Sequence, residues 1–128
     1  MNPGILKKIL IVDDDVDFLM LLERRLTQEG YLVEAAASLP EAEDITPQFK
    51  PHLVLLDINL KGEDGRKYCW NLKSTEPEIK VIILSGYDHS LVRAVLFGAD
   101  DLIPKPINFE YLLHQMERLL FIKLLSPE

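Results

Sequence analysis

The stretch Ile9-Leu10-Ile11-Val12-Asp13-Asp14-Asp15 sets four large aliphatic residues directly against three carboxylates. An unbroken apolar run without polar alternation suits a strand covered on both faces, the habit of parallel sheets. The acids mark where that strand leaves the core. Further apolar runs fall at residues 31–37, 52–56, 81–84 and 102–103, far enough apart for a helix between each pair. Phe18, Leu21, Leu22 and Leu26 form one helical stripe, and Gly30 follows as a stop. Ser38 with Glu41 reads as a capping box opening a second helix, with Pro40 in its first turn and Pro47 limiting its far end. A third helix is predicted over 66–73, a fourth over 90–97 before Gly98, and a fifth from Asn108 towards residue 125, ahead of Pro127.

Strand and helix therefore alternate along the whole chain. That order predicts a single α/β domain over residues 1–128, a five-stranded parallel sheet doubly wound by helices through right-handed crossovers. The flavodoxin-like strand order 2-1-3-4-5 fits five strands. Composition agrees: 128 residues, 48% hydrophobic, can bury roughly 68% of the unfolded surface. Disordered, collagen-like and disulfide-stapled classes are excluded. A net charge of −7 argues against general nucleic-acid binding, since phosphate neutralisation needs a basic face. No apolar run approaches the roughly 20 residues of a membrane span, and no secretory leader is legible. The lone Cys69 forms no internal disulfide, which suits a reducing, cytoplasmic setting.

Ligands in such sheets bind beyond the carboxyl ends of the strands, near the switch point between the first and third. Asp13 and Asp14 follow the first strand, Asp57 the third, Ser85 the fourth and Lys105 the fifth. Each alone is unremarkable: an aspartate after a strand is usually a turn or cap, and Asp13-Asp14-Asp15 alone could be a charged first helical turn. Together they form mutually compatible chemistry. Three clustered carboxylates repel unless a cation intervenes, and oxygen ligands select a hard ion such as Mg²⁺. With Lys105 added, the formal charges cancel, and such a site suits a phosphoryl group, whose transfer asks mainly for positioning and charge neutralisation.

The chain resembles the response-regulator receiver domains of bacterial two-component systems, the chemotaxis-regulator or CheY-like type, over nearly its whole length. The likeness rests on Ile11-Val12-Asp13-Asp14, Leu55-Leu56-Asp57 with Asp64-Gly65, Ser85-Gly86, Gly98-Ala99 and Lys105-Pro106. The resemblance implies that Asp57 accepts a phosphoryl group from a phosphohistidine of a sensor histidine kinase or phosphotransfer protein. It implies Mg²⁺ held by Asp14, Asp57 and the Asn59 carbonyl, with Asp13 acting through water. Ser85 and Lys105 then contact the phosphoryl oxygens, and the bond before Pro106 matches one that is cis in the family. Asn59 and Tyr87 occupy the positions that tune phosphate lifetime. Two departures stand out. Lys61 replaces the family's usual proline, which predicts a looser loop, and Leu102 replaces the aromatic whose ring swings on activation. Pro104 suits a strand at the sheet edge.

His52, His89 and His114 show no metal-ligand spacing and read as surface or partly packed residues; Cys69 reads as packing of the third helix beside Trp70, and Met20 and Met116 as core. The fifth helix is apolar nearly all round, with Phe121, Ile122, Leu124 and Leu125 beyond what covers a sheet. Such a helix usually has a second partner, and the resemblance implies that helices four and five with strand five meet an output protein or a second copy, unless a following segment covers them. Two other functions compete. One is a degenerate receiver serving only as an interaction module. The other is a haloacid-dehalogenase-like phosphatase using Asp13 and Asp15, which leaves Asp57 idle. A flavodoxin-like cofactor site fails on charge, because the acidic first loop repels phosphate. If Tyr87 shields an acyl phosphate, Tyr87→Ala accelerates loss of the phosphoryl group from the labelled protein; an unchanged hydrolysis rate contradicts that role.

Overall fold

The computed structural model describes residues 6–86 and 97–121. Tyr87, His89, the helix expected over 90–97 (all but its last residue) and the apolar residues from Ile122 onward lie outside them. Five strands form one parallel sheet: β1 (Lys8–Val12), β2 (Leu32–Ala36), β3 (Leu53–Asp57), β4 (Lys80–Ser85) and β5 (Asp101–Pro104). Their order is β2-β1-β3-β4-β5, so the predicted switch point lies between β1 and β3. Register aligns the carboxyl ends: Val12 faces Leu56, Asp57 faces Leu84, and Ser85 faces Pro104.

Side chains alternate across this sheet and build a core on each face. Ile9, Ile11, Leu53, Leu55, Ile82 and Leu84 point to one side, where α1 (Val16–Gln28) brings Leu19, Leu22 and Leu26. The final helix (Phe109–Leu120) covers the same side with Leu112, Met116 and Leu119. Leu10, Val12, Val54, Leu56 and Val81 point to the other, against Ala42 of α2 (Leu39–Phe49) and Tyr68, Cys69 and Leu72 of α3 (Gly65–Thr75). Fully burying each aliphatic side chain is worth about 1.5–3 kcal/mol, so both faces must be covered for the sheet to persist. No helix among the described residues is long and apolar enough to cross a membrane.

Helix starts follow local hydrogen-bond chemistry. Asp15, Ser38, Asp64 and Asn108 each cap a helix by accepting a backbone N–H. Ser38 Oγ takes Glu41 N–H at 3.3 Å, while Glu41 reaches back to Ala37 N–H at 2.8 Å, one residue earlier than in the usual reciprocal box.

Three expectations are corrected. Met20 is 60% exposed and Leu21 is exposed too. The buried stripe is Leu19, Leu22 and Leu26, the side of α1 that docks on the sheet, and Met20 turns outward. Pro47 does not end α2, which runs on to Phe49. Proline has no N–H to offer the turn before it, yet Lys50 N–H still closes onto Thr46 O at 3.0 Å, and the helix stops where Lys50 turns left-handed at φ 52°. Cys69 is fully buried in the packing of α3, as expected, while its neighbour Trp70 is exposed. Met116 is fully buried, as expected.

His52 lies at the amino ends of the strands. Its Nδ1 accepts Lys8 N–H at 2.9 Å, and burial, with Lys7 and Lys8 nearby, pulls its pKa down. The Cys69 thiol, donating to Phe97 O at 3.3 Å, is pushed by burial to about 11 from an ordinary 9.0. A raised acid pKa favours the neutral thiol in the folded state, so this contribution to stability is complete below pH 9 and lost as pH rises from 9 to 11. Native protein at pH 8 is expected to resist a thiol reagent that labels it promptly in denaturant; equal labelling rates contradict the burial.

Candidate functional site

The register places Asp13, one residue past β1, beside Asp57, the last residue of β3. Asp13 is 1% exposed and Asp57 7%. With Asp14 they offer three carboxylate oxygens all within 4.8 Å of one another. Lys105, one residue past β5, closes the group: Nζ donates to Asp13 Oδ2 at 2.8 Å and to Asp57 Oδ2 at 3.2 Å.

Backbone donors orient each acid. Asp13 Oδ1 accepts Asp15 N–H at 2.9 Å, and Asp57 Oδ1 accepts Asn59 N–H at 2.8 Å. Asp14 Oδ2 accepts Lys61 N–H at 2.8 Å. That last bond answers the departure at position 61. Proline has no N–H to give, whereas Lys61 uses its own to tie the loop to the acid cluster. Asn59–Leu60 pairs with Glu63–Asp64 as a short hairpin around Gly62, which adopts φ +69°. Gly65 then passes so close that a Cβ would stand 2.9 Å from Ile58 Cα and 3.1 Å from Asp57 O. Only glycine lets α3 start directly beneath the acceptor strand.

Three acids around one ammonium leave net negative charge. Burial pushes Asp57 above the ordinary carboxylate range; Asn59 N–H and Lys105 pull it back, Asp13 adds to the push, and the balance is upward. Burial weighs against the charged form of Lys105 as well, but Asp13 and Asp57 outweigh it and hold the ammonium above its usual pKa. For Asp57 the raised value means that ionisation costs stability, a cost absent below the unfolded pKa of 3.8 and incurred as pH rises through the folded one. The donor set fits a hard divalent ion. Mg²⁺ takes oxygen ligands and keeps several waters, and three carboxylate oxygens within 4.8 Å of one another suit it.

Ser85 is buried at the end of β4, and its carbonyl accepts Lys105 N–H at 2.9 Å. Asn59 is exposed in the hairpin. Leu102 is buried within β5, opposite Ile83, and the Lys105–Pro106 peptide is cis. Pro104 sits on the edge strand and is exposed. The sequence did not reveal that Phe18, half-buried against the core, also lies under Lys105, with its ring centroid 4.7 Å from Nζ. The available signal was its position one turn into the helix that starts at the acids.

The family model of the response regulator receiver domain matches residues 9–117, and the chain belongs to that family. Response regulator MprA of Mycobacterium sp. (strain KMS) is 37% identical over 115 residues, covering 88% of this chain and 50% of that protein. The chain thus spans about half the length of the curated relatives it matches. A CheY-like receiver from Methanospirillum hungatei JF-1 superposes with TM-score 0.83 at 35% identity, covering 91% of this chain and 94% of that one. TrrA of Thermotoga maritima, solved with Mg²⁺-BeF, gives TM-score 0.81 at 32% identity over 90% of this chain and all of its own.

The tie between the loop and the acids has a direct readout. Lys61 amide exchange is expected to be protected in the native protein and markedly faster in Asp14→Ala; an amide that exchanges equally in both contradicts the bond.

Proposed function

We propose that residues 1–128 act as one phosphoacceptor unit, in which Asp57 takes a phosphoryl group from the phosphohistidine of a sensor kinase or phosphotransfer protein. An Asp57 carboxylate oxygen bonds to phosphorus as the bond from phosphorus to the imidazole nitrogen breaks, and the electron pair leaves with the ring nitrogen. The product is an acyl phosphate. The observation that carries this reading is the shared ammonium, Lys105 Nζ at 2.8 Å from Asp13 and 3.2 Å from Asp57, on residues that only this sheet order brings together.

Lys105 balances charge on the incoming oxygens, and the Ser85 hydroxyl hydrogen-bonds one of them. Asp14, Asp57 and the Asn59 carbonyl, with Asp13 through water, would hold Mg²⁺, which would supply positive charge to offset that of the phosphoryl group and of Asp57. The Asn59 N–H keeps Asp57 aimed while this happens. Asn59 and Tyr87 set how long the acyl phosphate survives. Leu102 has no ring to swing, and the signal leaves through the face of strand β5 and the final helix, with the helix expected over 90–97. That surface meets an output protein or a second copy of the chain, in the cytoplasm.

Incubation with Mg²⁺ and acetyl phosphate, followed by intact mass, is expected to show one added phosphoryl group that is absent without Mg²⁺ and absent in Asp57→Ala. A group retained in Asp57→Ala but lost in Asp13→Ala points to phosphatase-like chemistry instead. No addition to the wild-type protein points to an interaction module.

A further inference from the structure

The Lys105 ammonium has more around it than carboxylates. Asp13 Oδ2 and Asp57 Oδ2 take two of its hydrogens, and the face of Phe18 stands 4.7 Å from Nζ, inside the roughly 6 Å reach of cation–π attraction. Phe18 is half-buried on α1, one turn past the Asp15 cap, which accepts Phe18 N–H at 3.2 Å. One short stretch of chain therefore supplies a carboxylate and a ring to the same cation. A lysine stem has many rotamers, and holding its head in one place loses much of that freedom.

A second contact of this kind, with the partners exchanged, lies two turns along α1. The Arg25 guanidinium stands 3.9 Å from the ring centroid of Phe109, the first residue of the final helix. Leu21, Leu22 and Ile107 line the groove between these two pairs. The segment from Lys105 to Phe109 is thus clipped to α1 at both ends, once by a helix ring on a loop cation and once by a helix cation on a ring.

We propose that Phe18 is a positioning residue for phosphoryl transfer to Asp57, its ring face holding the Lys105 ammonium over the acid cluster. The inference rests on the acceptor reading of Asp57. Packing accounts for part of the ring's place, since Phe18 also borders the core; attraction of the cation is the part that a leucine does not supply. Phe18→Leu and Phe18→Tyr separate the two roles, and Phe18→Met repeats the first comparison with a more adaptable side chain.

Two readouts are taken on the same proteins. With Mg²⁺ and acetyl phosphate, Phe18→Leu and Phe18→Met are expected to slow adduct formation about three- to ten-fold, while Phe18→Tyr stays within about two-fold of wild type. In the protein without metal, the Lys105 ε-methylene proton resonance is expected upfield in wild type and Phe18→Tyr, from the ring current, and at an ordinary position in Phe18→Leu. Equal labelling rates in wild type and Phe18→Leu, or a Lys105 resonance that does not move, overturn the positioning role while leaving the acceptor reading intact. A wild-type protein that takes no phosphoryl group overturns the acceptor reading and with it any role in transfer; the resonance still decides whether the ring holds Lys105.

Discussion

One ammonium divided between two buried carboxylates is the constraint on which the site depends. Lys105 stands 92 residues from Asp13 and 48 from Asp57 in sequence, yet bonds both. That is possible because β1, β3 and β5 all end at one edge of a parallel sheet. The core exists on two faces to hold this edge in register. At the edge itself charge is left unbalanced: three acids face one cation, and Asp57 is pushed above its ordinary pKa by burial first and by Asp13 in addition. The fold gives up stability where its chemistry lies, a common arrangement at functional sites.

Preorganisation supplies what charge balance does not. Asp13 and Asp57 each fix one oxygen on the backbone N–H two residues later and present the other to Lys105. Asp14 is fixed from farther away by Lys61, across the hairpin. Gly65 lets α3 begin against Ile58 and Asp57 without a Cβ in the way. These contacts leave little for an incoming ion or phosphoryl group to reorganise, which is how positioned dipoles lower a barrier.

Strand order and the polar residues at the strand ends were legible because each apolar run is short, doubly covered and followed at once by its acid, hydroxyl or amine. Asp13, Asp14, Asp57, Ser85 and Lys105 needed only the switch-point rule to be brought together. Helix phase was harder. The stripe through Leu21 competed with the one through Leu19, and the choice was made by how α1 docks on the sheet, a tertiary matter. Pro47 misled for a similar reason, since Thr46 bonds Ala42 O and Tyr68, and the last turn is held from outside. Lys61 read as a lost proline because sequence shows side chains, whereas the gain was a backbone N–H.

The central claim is that three acids sharing a single ammonium at the sheet edge are short of positive charge. Thermal unfolding of wild type and Asp57→Asn, each with and without Mg²⁺, tests it most directly, because an ion bound only by the folded state raises the midpoint. The account predicts that Mg²⁺ raises the wild-type midpoint, that Asp57→Asn is the more stable protein without metal, and that it loses most of the response to Mg²⁺. A wild-type midpoint indifferent to Mg²⁺, with Asp57→Asn no more stable than wild type in its absence, would contradict it.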